Sequence, residues 1–289
     1  MRVEFERPNI ELLKQQQYTL VDLHFHTRYS DGINSIPAVV ARAKRLNIGI
    51  AITDHNAIQG AVDIARHTTL LTIPGIEVTE KSGAHVLIYF YDIPSIKDFY
   101  AKHIEPHMGH DVMSPTSLEM EDLIARARQY RCVIIFPHPY SAAYTGVCNV
   151  QFSKERLTRL LKLVDGVEAI NAENTHRWNL KSTILAFNAG KGITGGSDGH
   201  TLYHMGKVIT YAACIPQREA FLDAIKKNGT FVIGKEIDLL RKATSNSLKL
   251  RRTLKNYPDI VEKNVRFSYT LLNHKAKTLK KQLTLKRRI

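Results

Sequence analysis

Short apolar runs and stretches of helical periodicity alternate along residues 18–234. The apolar runs have the length of strands and are rich in Ile, Val and Leu, which predicts β-structure. These predicted strands cover 20–23, 48–52, 70–73, 86–90, 133–136, 166–170, 192–194 and 207–210. Helical spacing predicts helices over 36–45, 117–130, 154–163 and 180–189. The alternation is typical of a parallel α/β fold, and the number of repeats favours a barrel over an open sheet.

Polar side chains of the same few types follow the predicted strands. They are His24 and His26 after the first strand, Asp54 and His55 after the second, Glu77 after the third, His138 after the fifth and Asp198 after the seventh. The C-terminal ends of barrel strands lie on the face that carries the chemistry of barrel enzymes. We therefore expect these side chains to converge on one face.

His85 departs from this rule, because it begins a predicted strand instead of following one. The Lys-Ser-Gly sequence at 81–83 is typical of a reverse turn. Such a turn would bring His85 back to the end of the sheet that holds Glu77. We expect His85 to belong to the same site.

Two pairs of these residues, His24/His26 and Asp198/His200, are two positions apart. In an extended chain that spacing points both side chains to one side. Imidazole and carboxylate groups are ligands of zinc, manganese and iron. A lone histidine is more often structural, but buried charges that recur after successive strands are costly without a partner. The pattern predicts a cluster of two or three metal ions.

The residues form a series of short motifs with strand context. In chain order they are Asp22-Leu23-His24-Phe25-His26-Thr27 with Ser30-Asp31-Gly32, Ile52-Thr53-Asp54-His55-Asn56, Gly75-Ile76-Glu77-Val78 with His85-Val86-Leu87, His138-Pro139, and Gly196-Ser197-Asp198-Gly199-His200. This series resembles the PHP (polymerase and histidinol phosphatase) family of metal-dependent phosphoesterases over residues 19–234. The resemblance implies a distorted TIM-like (β/α)7 barrel, the PHP fold, with a trinuclear metal centre.

The resemblance also implies a ligand set for three divalent ions, which would be zinc, manganese and/or iron. Carried over by position, the first ion is held by His24, His26, Glu77 and Asp198, the second by Glu77, His85 and His138, and the third by Asp31, His55 and His200. Asp54 would be a structural residue beside His55, or would support the imidazole of His55 from outside the metal. A hydroxide that bridges the metals would attack a phosphate ester, and no protein nucleophile is required.

Substrate phosphate needs further cations near this face. Arg28 lies on the first motif loop, His176 and Arg177 follow the sixth predicted strand, and His204 follows His200. We predict that these four residues contact phosphate. For each of them, a solvated loop position is an equally good interpretation.

Positive charge is concentrated at the end of the chain. The net charge is +14, and residues 235–289 contain sixteen Lys/Arg against four Asp/Glu. Leu272, Ala276, Leu279 and Leu283 recur at helical spacing, which predicts a basic amphipathic helix. Three interpretations stay open: this tail binds nucleic acid, docks peripherally on an anionic membrane, or packs on the barrel or a partner.

The domain organisation that these patterns predict has three parts. They are an N-terminal extension at 1–17, a PHP barrel at 18–234 with a loop or small cap at 92–116, and a basic tail at 235–289. The charged start of the chain does not resemble a signal peptide, and no apolar run is long enough to span a bilayer. Three cysteines without metal-site spacing suit a reducing compartment. We expect a cytoplasmic protein.

Two hypotheses of function follow. The first is a phosphoesterase that hydrolyses a nucleotide, an oligonucleotide 5′-end or a small phosphorylated metabolite. The second is a binding protein that uses the basic tail on nucleic acid or a membrane surface, with the barrel as a scaffold. Because no ligand position of the motifs is missing, the sequence favours the enzyme.

Overall fold

A single curled β-sheet forms the centre of the molecule, and helices cover its outer side. The computed structural model describes residues 2–67, 69–141, 145–148 and 152–238. In these ranges the strands are β1 (Val3–Glu4), β2 (Thr19–Asp22), β3 (Gly49–Ile52), β4 (Thr72–Thr79), β5 (His85–Phe90), β6 (Cys132–Phe136), β7 (Gly166–Asn171), β8 (Gly192–Gly196), β9 (Val208–Ala212) and β10 (Thr230–Gly234). The helices are α1 (Ile10–Gln15), α2 (Ile36–Leu46), α3 (Gln59–Ile64), α4 (Ile93–Phe99), α5 (Met120–Ala127), α6 (Lys154–Leu163), α7 (His176–Ala189) and α8 (Arg218–Lys226), with a π-helix at Tyr100–Ile104 and a 3-10 helix at Glu105–His107.

The strand order is β1-β10-β9-β2-β3-β4-β5-β6-β7-β8. Strands β2, β3 and β4 run parallel, as do β6, β7 and β8, whereas β5 and β9 are antiparallel to both of their neighbours. The sheet curls into a half-barrel. Its two sides approach where the Thr210 hydroxyl donates to the Gly195 carbonyl at 2.8 Å and the Thr230 hydroxyl donates to the Ile193 carbonyl at 2.6 Å.

Burial explains why the strands read as continuous apolar runs. Every residue of β3, β5 and β6 is buried, because one face of the sheet packs inside the curl and the other packs under helices. Strands that are covered on both faces lose the alternation of polar and apolar residues. Ile, Val and Phe fit such a doubly buried surface, which accounts for their enrichment in these runs.

The α/β barrel-like architecture predicted from the sequence is confirmed, with corrections to its detail. The described residues contain ten strands rather than seven or eight, and the sheet is mixed rather than parallel. The two added strands are β1, which is only two residues long, and β10. Since β1 pairs with β10, the segment predicted as an N-terminal extension contributes to the sheet.

Residues 93–107, which lie in the segment predicted to be a loop or small cap, are helical. The antiparallel strand β5 begins at the predicted ligand His85 and ends at the opposite end of the sheet, so the chain has to return along the helices that follow. Asp92 caps this helix by accepting a hydrogen bond from the Ser95 amide at 2.7 Å. Beyond the helices the chain returns to the ligand end, where the Thr116 amide donates to the Thr79 carbonyl at 2.9 Å.

The basic tail lies almost entirely outside the described residues, which end at Asp238. The predicted amphipathic helix in the tail therefore stays a prediction. Among the helices that the structure does describe, none combines the length and the apolar character that a bilayer crossing requires. The cytoplasmic location also stays a prediction.

Candidate metal centre

One buried carboxylate, that of Glu77 on β4, lies at the middle of the predicted ligands. It is 1% exposed. Its Oε1 lies 2.8 Å from His85 Nδ1 and 3.1 Å from His138 Nε2. Its Oε2 lies 3.1 Å from His55 Nδ1, and 3.4 Å from the Nε2 atoms of both His24 and His26. A single glutamate therefore faces five imidazoles.

The turn that brings His85 to Glu77 is the one expected from the sequence. β4 and β5 form an antiparallel hairpin in which Thr79 pairs with His85. The Gly83 amide donates to the Glu80 carbonyl at 2.9 Å, and Gly83 has a φ of +98°, a left-handed conformation that favours glycine. The hairpin thus folds a residue that begins a strand onto the C-terminal side of its neighbours.

A second cluster forms around Asp31 on the loop after β2. Asp31 Oδ2 lies 3.0 Å from His200 Nε2, and Asp31 Oδ1 lies 3.7 Å from His26 Nδ1 and 3.8 Å from His55 Nε2. The His26 ring stacks between its neighbours, with its centroid 4.6 Å from that of His55 and 4.5 Å from that of His200. His26 therefore faces Asp31 with one ring nitrogen and Glu77 with the other.

Asp198 completes the arrangement at the end of β8. Its Oδ1 lies 3.1 Å from His26 Nε2 and 3.5 Å from His24 Nε2. Within the described residues, four overlapping groups of side chains have donor atoms close enough to share an ion. They are His26/Asp31/His55/His200, His24/His26/Glu77, His24/His138/Asp198 and His55/Glu77/His85. All nine residues predicted as metal ligands fall in these groups.

Several buried donor atoms of this cluster make no hydrogen bond within the described part of the chain. They are Glu77 Oε2 and the Nδ1 atoms of His26, His55 and His138. The Nε2 atoms of His24 and His26 also lie only 3.1 Å apart. Buried polar atoms without hydrogen bonds are costly unless something else compensates them. Lone pairs that converge in this way, from imidazole and carboxylate together, fit divalent ions such as zinc, manganese or iron.

The electrostatics of the carboxylates suit the same role. Burial would raise the pKa of Glu77, but His85, His55 and His24 outweigh it and hold that pKa well below its usual range. The pKa of Asp198 is likewise held well below normal, because His24 and His26 outweigh its burial. Both groups are therefore anionic at neutral pH, as metal ligands must be.

The surroundings lower the pKa of some of the imidazoles and raise that of others. Burial lowers the pKa of His55 well below normal and also lowers that of His85, so both are neutral and able to donate a lone pair. At His24, burial is outweighed by Asp198, Glu77 and Glu168, which raise its pKa well above normal. His24 is the imidazole most strongly surrounded by negative charge.

Glu168 on β7, which the sequence analysis did not identify, orients two of the predicted ligands. Its Oε1 lies 3.0 Å from His24 Nδ1, and its Oε2 accepts a hydrogen bond from the His138 amide at 2.8 Å. Asn171 on the same strand donates to Glu168 at 2.9 Å and to Asp198 Oδ2 at 3.1 Å. The available signal was a glutamate inside the otherwise apolar run Gly-Val-Glu-Ala-Ile.

We expect Glu168→Gln to weaken metal binding by about 10- to 100-fold, the usual cost of removing an outer partner of a metal-bound histidine. The substitution keeps the shape of the side chain but removes the negative charge that faces His24. Metal affinity can be measured by competition with a chelator. Glu121→Gln, which changes a half-buried glutamate paired with Arg156 away from the cluster, is the control. An unchanged affinity in Glu168→Gln would contradict this role.

Asp54, beside His55, holds the first motif loop. Its carboxylate accepts hydrogen bonds from the Thr27 amide, the Thr27 hydroxyl and the Ser30 hydroxyl, each at 2.7 Å. These bonds fix the loop that leads to Asp31. Asp54 thus acts on the site through loop geometry.

Asp22 at the end of β2 performs a similar task for the last motif. It accepts hydrogen bonds from the amides of Ser197 and Gly206, both at 2.9 Å, which ties the loop around Asp198 to β2. Burial raises its pKa to about 6 despite these bonds. The first and last motifs are therefore joined beneath the candidate centre.

Two of the predicted ligands adopt a left-handed backbone conformation. His138 has a φ of +29° and Asp198 a φ of +49°. Such conformations cost on the order of 1–3 kcal/mol at non-glycine residues and persist only where the surroundings enforce them. Here the bonds from Glu168 and Asn171 hold these two positions.

The four residues predicted to bind substrate phosphate are placed differently from one another. His204 is 1% exposed, and its Nδ1 lies 3.0 Å from Glu173 Oε1. His176 lies 3.7 Å from Glu236 and packs edge-on against Phe5, so its visible contacts are not with the cluster. Arg28 and Arg177 are exposed. Their roles stay predictions.

Known proteins are similar to this chain in sequence and in fold. A family model described as PHP domain matches residues 22–113, and one described as PHP-associated matches residues 176–230. The 5′-3′ exoribonuclease Rnm of Salmonella typhimurium is 34% identical over 120 residues, which cover 37% of this chain and 41% of the exoribonuclease. The match thus spans less than half the length of that relative.

Solved structures show the same fold at low sequence identity. One is a two-domain protein of Bacteroides vulgatus that contains a predicted PHP-like metal-dependent phosphoesterase, with a TM-score of 0.56, 19% identity, and coverage of 84% of this chain and 73% of that one. Another is Endonuclease Q in complex with a 27-mer duplex that carries an abasic lesion, with a TM-score of 0.62, 15% identity, and coverage of 76% and 60%. With its motifs, its fold and both family models in agreement, the chain contains a PHP domain.

Proposed function

We propose that this protein is a metal-dependent phosphoesterase that hydrolyses the phosphate ester of a nucleotide or of a nucleic-acid end. The observation that carries the proposal is the convergence of five imidazoles on the buried carboxylate of Glu77. The relative Rnm is a 5′-3′ exoribonuclease, and Endonuclease Q was crystallised with DNA. Both names favour a nucleotide or nucleic-acid substrate over another phosphorylated metabolite.

Nine residues of this chain would hold three divalent ions. By the order of the family motifs, the first ion would take His24, His26, Glu77 and Asp198, the second Glu77, His85 and His138, and the third Asp31, His55 and His200. The same nine residues make up the four groups of close donor atoms, in which His138 lies with His24 and Asp198. Bound ions of this kind activate water for attack on phosphorus and neutralise the charge on phosphate oxygens. The closeness of His26 Nδ1 to Asp31 Oδ1, at 3.7 Å, makes His26 a neighbour of the third site as well.

The remaining side chains position these ligands and the substrate. Glu168 holds the His24 ring and the His138 backbone in place, so the two ligands keep a fixed separation. Arg28 is exposed on the loop that carries Asp31 and would attract the phosphate from solvent. His204, paired with Glu173, would place a polarised imidazole beside the loop of Asp198 and His200.

The test is His26→Ala, because His26 faces both Glu77 and Asp31. We expect this variant to lose bound metal and hydrolysis together. Metal content is measured by elemental analysis. Phosphate release is measured with manganese or zinc on nucleotides, short 5′-phosphorylated RNA and DNA, and sugar phosphates. His110→Ala, which changes an exposed histidine, should behave as wild type. If the metal-loaded wild-type protein cleaves none of these esters, the proposal fails.

The net charge of +12 over residues 235–289 supports a second candidate, a nucleic-acid-binding protein in which the barrel is a scaffold. The same variant separates the two candidates. Binding of nucleic acid through the tail would survive His26→Ala, and hydrolysis would not. Deletion of residues 240–289 would then show whether the tail selects polymeric substrates. Charge-driven binding through the tail should also fall steeply as the salt concentration rises.

A further inference from the structure

Two aromatic side chains and a lysine form a patch beside the candidate metal centre, and the site described above does not use them. We call Tyr140, Trp178 and Lys181 the aromatic patch. The ring centroids of Tyr140 and Trp178 lie 6.4 Å apart with an interplanar angle of 32°. Lys181 Nζ lies 5.6 Å from the Tyr140 centroid and 5.3 Å from the Trp178 centroid. Both rings are partly exposed and the lysine is exposed.

The patch lies at the same end of the sheet as the metal ligands. Tyr140 follows the ligand His138 by two residues, and two residues of chain reach no farther than about 7 Å. Trp178 lies in the first turn of α7, which follows the loop after β7. These two segments are joined where the Asn174 side chain donates to the Tyr140 carbonyl at 2.8 Å. A molecule with one end at the centre can therefore extend over the patch.

The patch is held in place from both sides. The Tyr140 hydroxyl contacts the Cys148 thiol, and burial together with that contact raises the pKa of Tyr140 to about 12. The Cys148 amide donates to the Pro139 carbonyl at 2.9 Å, which ties Cys148 to the chain next to Tyr140. On the other side, Thr175 caps α7 by accepting a hydrogen bond from the Trp178 amide. The Tyr140 ring and the backbone of Trp178 are therefore both held by contacts within the protein.

From this geometry we propose that the aromatic patch is a nucleobase platform, on which a base of the substrate stacks while its phosphate lies at the metal centre. The inference rests on the proposed function and specifies its substrate as one that carries an unpaired base. An aromatic face accepts any base, and a lysine beside it pairs with the adjacent phosphate. The platform therefore provides affinity for single-stranded ends with little sequence preference.

A purely structural role would not require the patch to lie beside the candidate metal centre. Cation–π contacts stabilise exposed surfaces by a small amount wherever they occur. Another such contact, Lys207 over Tyr203 at 4.3 Å, lies on the loop after β8. The aromatic patch differs from that contact because two partly exposed rings lie beside one cation. One of these rings, Tyr140, is also two residues from the predicted ligand His138. A stabilising role predicts effects on folding alone, whereas a platform predicts effects on substrate affinity.

Trp178 is the only tryptophan of the chain, so its fluorescence reports on the patch directly. A 5′-phosphorylated triadenylate is titrated into the full-length protein in the presence of a chelator, which prevents turnover. Ribose 5-phosphate, which has a phosphate but no base, is titrated in parallel. We expect saturable quenching by the triadenylate and none by ribose 5-phosphate. If the triadenylate causes no quenching, the platform is refuted.

Kinetics with bound metal provide the second measurement. We expect Trp178→Ala to raise KM for the triadenylate by roughly 10- to 100-fold, the usual effect of losing one base stack, with kcat and the hydrolysis of ribose 5-phosphate unchanged. Trp178→Phe should retain most of the affinity for the triadenylate. Lys181→Met should make that affinity depend less on salt concentration. Phe187→Ala, which removes an exposed ring farther along α7, is the matched control. Equal losses on both substrates would overturn the proposal.

Failure of the platform and failure of the proposed function give different results. Hydrolysis of phosphate esters without triadenylate quenching would leave an enzyme without a base platform. Quenching without hydrolysis of any ester would leave a nucleotide-binding patch on a protein that is not the proposed enzyme.

Discussion

Glu77→Gln is expected to abolish stable metal binding and to lower phosphate-ester hydrolysis by about 10³-fold, the upper range for removing one preorganised electrostatic group from an active site. The reason is the central position of this carboxylate. Both of its oxygens face imidazole nitrogens at 2.8–3.4 Å. Glu77 also belongs to two of the four groups of close donor atoms, and these two groups share no other residue. A neutral amide keeps the volume but loses the charge, and its NH₂ group would face nitrogen lone pairs.

Elemental analysis and phosphate release measure the two effects of Glu77→Gln separately. Glu119→Gln is the matched control, because Glu119 is exposed and pairs only on the surface with Lys81 and Arg156. If Glu77→Gln bound metal as the wild-type protein does, Glu77 could not be a bridging ligand. The assignment of the first two metal sites would then have to be revised.

Gly196→Ala is expected to destabilise the fold and to disturb the centre at once. A Cβ at this position would lie 2.3 Å from the Cβ of His24 and 2.7 Å from its backbone nitrogen. His24 cannot retreat, because it is fully buried and its ring is held by Glu168. We expect a loss of about 3 kcal/mol in the free energy of unfolding, at the upper end of the usual cost of overpacking.

Denaturant unfolding of the metal-free protein measures this loss in Gly196→Ala. Gly229→Ala is the control, because its Cβ would lie 3.4 Å from the nearest atom, the Ala224 carbonyl oxygen, which is an ordinary contact. A Gly196→Ala variant as stable as Gly229→Ala would contradict the close packing of β8 against His24. We also expect weaker metal binding in Gly196→Ala, since a displaced His24 no longer faces Glu77.

The strands that carry the ligands could be found from sequence because both of their faces are buried. That burial selects continuous runs of Ile, Val and Leu. Polar candidate ligands follow several of these runs, whereas Glu77 lies inside β4 and His85 begins β5. The turn before His85 could also be predicted, since it contains Gly83, which adopts a left-handed conformation. By contrast, β1 was missed because two residues contain no pattern, and α4 was missed because it is only seven residues long, although Asp92 and Pro94 mark its start.

By itself the sequence determined the ligand types, their order and the end of the sheet on which they lie, because these depend on local patterns of residues. Only the tertiary structure decided which atoms meet. It placed Glu77 among five imidazoles and His26 between two acidic groups. It also set Glu168 against His24, 144 positions away, and Tyr140 against Trp178. Contacts of this kind depend on how the sheet curls and on how loops from separate strands approach. No local spacing of residues encodes that geometry.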